Sequence, residues 1–229
     1  MLRLCYSHRS EFTSMSWDLR GSTANWHVPH WSMDVVFVNG SHQPWIQIHD
    51  AVKKTILSVG IMPREQNANH SPAGIPFEDA YVRQRDLIAL FPQVVPWNFG
   101  YQVDIRMLTD SLLDTLTMEI WLSIQTSLLD AYPQLELQLK GDRFNTLVEN
   151  CWTSESSRMG LLVHPLDQAD CQIDLEMNSL TMRVFGRFME KGVIRRMRFR
   201  LIAASSPKTP SYWRDRSKEF SHSPLPLTT

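Results

Sequence analysis

Two groups of residues in this chain have the types and spacing to do chemistry. The first is "KGVIRRMRFRLIA", Lys191 to Ala203, in which four of thirteen residues are arginine, with Arg183 and Arg187 shortly before it. Guanidinium groups gathered on one face offer paired N–H donors to phosphate or carboxylate. The second is "NWHVPHW", Asn25 to Trp31, where His27 and His30 stand between Trp26 and Trp31. In an extended, proline-containing turn of about three residues the two imidazoles point the same way. With Asp34, His42 or His49 they would begin a metal site, and the indoles would make a platform for a sugar or another flat ligand. Zinc as a rule takes at least three protein ligands, so the pair defines no metal centre, and no cofactor is called for. The plainest reading is that this segment pins Trp26 and Trp31 onto a sheet.

Other chemistries find less support. Asp34, Asp50, Asp79 and Asp86 are candidate acids and bases, but their spacing does not make any two converge. The sequence holds no nucleophile elbow, phosphate loop or dinucleotide fingerprint. Three cysteines, Cys5, Cys151 and Cys171, give neither a disulfide framework nor a zinc ribbon, and a reducing, cytoplasmic setting is expected. Basic and acidic residues nearly cancel, 23 against 24, whereas a dedicated nucleic-acid-binding domain is usually clearly basic. Any anion affinity must therefore come from local clustering, and nucleic acid is not the expected partner. No stretch reads as a signal peptide or a membrane span, so no membrane partner is expected either. Met15 offers an alternative start to the chain.

The elements that must carry these residues are mostly strands. Alternation runs through "DVVFVNG" from Asp34, "YVRQRDLIALF" from Tyr81, "YQVDIRM" from Tyr101, "LTMEIWLSIQ" from Leu116 and "LELQL" from Leu135. It returns in "RMGLLV" from Arg158, "CQIDLEM" from Cys171, "LTMRVFGRF" from Leu180 and the arginine segment itself. Two segments read as helices. One runs from Gln43 to Gly60, with Trp45, Ile48, Val52 and Ile56 as its stripe and Gly60 as its end. The other starts at Asp142, with Phe144, Leu147, Val148 and Cys151 at helical spacing. The fold class is thus mainly β (α+β), antiparallel meanders packed as a sandwich-like core with two helices.

Residues 1–32 read as an irregular N-terminal segment, 33–204 as one globular domain, and the Ser- and Pro-rich 205–229 as a disordered tail. Within the domain, "QVDIRM" and "QIDLEM" echo each other, each followed by a strand opening Leu-Thr-Met, with "LIALFPQ" and "LLVHPL" upstream. These echoes suggest a duplication, with halves at about 33–141 and 142–204.

Strand parity decides how the arginines are read. A two-residue Asn178-Ser179 turn sets Asp174 opposite Arg183. An even-numbered loop ending at Gly192 then puts Met182, Val184, Phe188, Met197, Phe199 and Leu201 in the core. Arg183, Arg187, Arg196, Arg198 and Arg200 share the outer face, because burying several unpaired guanidinium groups costs several kcal/mol each. On that face they are either simply solvated or form an anion-binding surface, with Phe185 among them to stack on a base or sugar. The function expected is a non-enzymatic binding or interaction domain whose partner is a protein or an anionic ligand. The alternatives are a small hydrolase or isomerase with its site near the Trp/His segment, and a structural component assembling through strand edges.

Overall fold

The computed structural model describes residues 16–28, 30–37, 44–50, 52–64, 75–108 and 114–224. Its first strands are β1 (Asp18–Arg20), β2 (Thr23–Val28), β3 (Trp31–Phe37), β4 (Pro44–Asp50) and β5 (Thr55–Arg64). There follow β6 (Asp79–Arg83), β7 (Asp86–Phe91), β8 (Gly100–Leu108), β9 (Thr115–Gln125), β10 (Gln134–Lys140) and β11 (Phe144–Val148). The last are β12 (Cys151–Ser154), β13 (Met159–Val163), β14 (Cys171–Leu175), β15 (Ser179–Phe185) and β16 (Ile194–Ala204), before helix α1 (Pro210–Ser221).

All pairings are antiparallel and make two eight-stranded sheets. The first runs β1-β2-β3-β4-β5-β10-β15-β14 and the second β11-β12-β13-β16-β9-β8-β7-β6. Alternate residues of each sheet meet in one apolar layer: Met33, Val35, Ile46, Ile48, Val59 and Leu137 from the first face Val103, Ile120, Leu122, Phe199 and Leu201 from the second. The expected mainly β, antiparallel sandwich is therefore the observed fold.

Both expected helices are strands. Around Gln43–Gly60 the two-residue period of Ile46 and Ile48, then Leu57, Val59 and Ile61, all buried, prevails over the coincidental helical spacing. The Asp50 carboxylate breaks the run into a hairpin by accepting from the N–H groups of Val52 and Lys54 at 3.1 and 3.0 Å. Gly60 is no helix end, since it lies within β5 opposite Gln138. The segment after Asp142 becomes β11, whose register shifts between Thr146 and Val148, and that irregularity is what imitates a helical period. Asp142 caps a turn instead, accepting from the N–H groups of Arg143 and Ser156, both at 2.9 Å.

The two chain ends are also more regular than expected. Residues 18–28 form β1 and β2, while residues 1–15, including Cys5 and Met15, lie outside those described, as do Asn39, Gly40, His42 and 225–229. Within 205–224, where a loose tail was expected, α1 starts on Thr209, whose hydroxyl accepts from the N–H of Tyr212, with Pro210 in the first turn. Trp213, Ser217 and Phe220, at i, i+4 and i+7, are its buried face. They pack on Cys151, Leu162 and Ile202, covering part of the second sheet's outer surface.

The echoing hairpins β8–β9 and β14–β15 lie in opposite sheets. "LLVHPL" does not stand to β14 as "LIALFPQ" stands to β8: β7 pairs with β8, but β13 pairs with β12 and β16.

Candidate functional site

The five arginines do not share a face. Arg183 lies on the outer surface of the first sheet and Arg196, Arg198 and Arg200 on that of the second, because the chain crosses between sheets after β15 instead of turning back as a hairpin. The β14–β15 register also sits two residues from the expected one, pairing Asp174 with Thr181 and Gln172 with Arg183. Parity survives the shift, so the expected Arg183–Asp174 contact persists diagonally at 2.8 Å. Within β16 the parity is as expected, and Met197, Phe199 and Leu201 fill the core. Phe188 does not join them; it lies in the crossover, exposed, with its ring 5.8 Å from that of Tyr132. Phe185, expected among the arginines, is buried in the apolar core with a φ of 69°.

Each arginine then has its own surroundings. Arg183 also faces the buried Glu136 at 3.4 Å, and Arg64 grips that carboxylate with two N–H donors at 3.1 and 2.7 Å. Arg187 pairs with Asp170 at 2.6 Å and donates to the Ala169 carbonyl. On the second sheet, register aligns Asp86, Arg106, Glu119 and Arg200 in one row across β7, β8, β9 and β16. Arg106 binds Asp86 at 2.8 Å, and Arg200 binds Glu119 at 2.6 Å and Glu219 of α1 at 3.1 Å. Helix α1 roofs this end of the row. The guanidinium carbon of Arg200 stands 4.7 Å from the Phe220 ring centre, and that of Arg198 stands 5.6 Å from it. Arg198 also donates to the Ser223 and Pro224 carbonyls just past the end of α1, where a cation suits the helix dipole. Burial under the helix pulls the Arg198 guanidinium below its ordinary value.

Arg196 differs from the other four. It is exposed, and among the described residues no carboxylate lies within ion-pair distance of it. It stands in the wall of a concavity of about 190 Å³ on the second sheet's outer face. Register again builds the floor, because Leu90, Gln102, Ser123 and Arg196 lie in one row across β7, β8, β9 and β16. Glu78, Gln125 and Ile194 also line it. Beside it, the Gln102 amide donates to Asp104 at 2.6 Å. Burial raises the Asp104 carboxyl above its usual range, an effect that Arg196 partly offsets.

The Trp/His segment is a β-hairpin in which Val28 pairs with Trp31. Trp26 and Trp31 are buried in the core and His27 and His30 are exposed, so the segment does hold its tryptophans against the sheet. Asp34 is engaged with His49 at 3.1 Å, and among the described residues no three His, Cys, Asp or Glu side chains are placed to hold a metal. His30 and Trp31, without His27, line a cavity of about 350 Å³ at one end of the sandwich, together with Asp50, Val52, Asp114, Arg158 and Ser205. Sequence reasoning named Asp50 but not Asp114 or Arg158, nor the polar floor around Arg196. These residues come from strands far apart in the chain, and only register brings them together.

No helix among the described residues is long and apolar enough to cross a membrane. No family model and no curated protein matches the chain. One solved structure with a similar course of the chain is described as "Putative kojibiose phosphorylase from human microbiome". It is 10% identical with a TM-score of 0.46, and the match covers 93% of this chain and 37% of that one.

Proposed function

We propose that this chain is a non-enzymatic binding domain that takes a small anionic ligand, a carboxylate or phosphate, in the concavity beside Arg196. One observation carries the reading: of the five arginines, Arg196 alone is both exposed and without an ion-paired carboxylate or a carbonyl acceptor among the described residues, and it lines a hollow. Its guanidinium supplies the charge and the forked donors that an oxyanion needs. Gln102, Ser123 and Gln125 add neutral donors and acceptors for the rest of the ligand, and Leu90 and Ile194 give it apolar contact. Glu78 in the lining disfavours a second negative charge, so a singly anionic head with a hydroxyl or amine opposite fits best.

Thermal unfolding in the presence of phosphate, lactate and glucuronate tests this. The midpoint rises with at least one of them, less so at high salt, because the ligand stabilises only the folded state. The rise disappears in Arg196→Gln and persists in Arg187→Gln, which alters a guanidinium already paired with Asp170. An Arg196→Gln protein that responds like the parent would overturn the proposal.

A further inference from the structure

The cavity at the end of the sandwich has a different character from the Arg196 hollow. Its wall comes from His30 and the first residue of β3 (Trp31), the end of β4 and the turn after it (Asp50, Val52), the residue before β9 (Asp114), the β12–β13 turn (Arg158) and the chain after β16 (Ser205). Charge in it is balanced: Asp50 and Asp114 are answered by Arg158 in the wall and by Lys208, which pairs with Asp114. An anion would meet two carboxylates there, and a cation would meet a guanidinium and an ammonium.

Hydrogen-bonding capacity around it is left over in both senses. Arg158 spends its Nε on the Ala204 carbonyl at 3.2 Å, and its two Nη groups have no acceptor among the described residues. Beneath the wall, among the described residues, the Trp31 indole N–H has no acceptor and Oδ1 of Asp114 has no donor. Asp50 uses one carboxylate oxygen on its own turn, which leaves the other. A ligand able both to donate and to accept would use the Arg158 Nη groups and the second Asp50 oxygen together. A hydroxyl does both.

We infer that this cavity is a second binding site, for a neutral hydroxyl-rich small molecule, a sugar or polyol. Arg158 donates to its oxygens, Asp50 and Asp114 accept from its hydroxyls, and Trp31 and Val52 cover its C–H faces. The site stands independently of the Arg196 hollow, which draws a charged ligand by a free cation.

The test is titration of the full chain with methyl glucoside, methyl galactoside, xylitol and myo-inositol, with glucuronate as the charged counterpart, followed by saturation-transfer NMR and tryptophan fluorescence. At least one neutral compound gives a saturable response below about 50 mM, in the range of weak specific binding. Arg158→Gln and Asp114→Asn each weaken it about tenfold or more, as expected for losing a hydrogen bond to a charged group, and Arg196→Gln leaves it unchanged. Val52→Arg, at a position 80% exposed and so harmless to folding, weakens it by crowding the mouth. Silence from all four neutral compounds, a response that survives these substitutions, or a preference for glucuronate that Arg196→Gln does not remove would overturn the inference.

Discussion

Placing a single methyl group at Gly160 tests how α1 is held. Gly160 lies in β13, and a Cβ there would stand 2.4 and 2.7 Å from two ring carbons of Trp213. Carbon atoms pack at about 3.5–4.0 Å, so either the indole is displaced or the helix lifts. Accommodating the clash in place costs about 1–3 kcal/mol. Lifting the helix exposes Trp213 and Phe220, now 1% and 0% exposed, and burial of such side chains is worth about 1.5–3 kcal/mol each. Gly160→Ala should therefore lose about 2–4 kcal/mol in urea unfolding, with faster proteolysis at residues 205–209. Trp213→Ala alone should lose about 3–5 kcal/mol. Adding Gly160→Ala to it should cost nothing further, since the clash is gone and alanine suits a strand better than glycine by about 0.5–1 kcal/mol. A Gly160→Ala protein as stable as the parent, or a double variant whose losses simply add, would refute the docking of α1 on this glycine.

Three further outcomes follow from buried polar groups. Arg200→Met strands the Glu119 carboxylate, 6% exposed, and should cost about 3–5 kcal/mol, most of it recovered in Arg200→Met/Glu119→Met, as chemical denaturation of the pair will show. The Tyr101 hydroxyl is buried with no partner among the described residues, so Tyr101→Phe should leave the urea midpoint unchanged or raise stability by about 1 kcal/mol. Burial, and then the charge of Arg198, holds His164 below the usual imidazole value beneath Phe220. The unfolded chain takes up this proton near pH 6.5 and the folded chain resists it, so the contribution is whole above about 6.5 and is lost as pH falls below it. Urea unfolding at about pH 7.5 and about 5.5 should show that loss, diminished in His164→Gln. The half-buried carboxyls of Asp104 and Asp167, both raised chiefly by desolvation, act in the opposite sense, favouring the folded state as they protonate at lower pH.

Local alternation made the sandwich legible, because each core strand carries its apolar residues two apart whatever its neighbour. It also placed Met197, Phe199 and Leu201 inside and their arginine neighbours on the opposite face. What it could not supply was the partner of each strand. Adjacent segments were read as a hairpin across Gly192, whereas β15 and β16 belong to different sheets, and that alone divided the arginines. Helical readings failed where a turn or bulge shifted the phase, at Asp50 and at Thr146, and imitated a period of 3.6. The docking of α1 was legible in part: Thr209-Pro210 is a start signal, and Trp213, Ser217 and Phe220 keep helical spacing, but the abundance of polar residues hid that stripe. His30 and Trp31 were visible as a motif, while Asp114 and Arg158 meet them only through folding.

Helix α1 covers Arg198 and Arg200 and leaves Arg196 exposed to the proposed ligand. Side-chain Nε–H signals of arginine, followed by NMR through an anion titration, test this division most directly. Slow hydrogen exchange at Arg198 and Arg200, with anion-dependent shifts at Arg196, is the predicted result. Rapid exchange at Arg198 and Arg200, or equal shifts at all three, would contradict it.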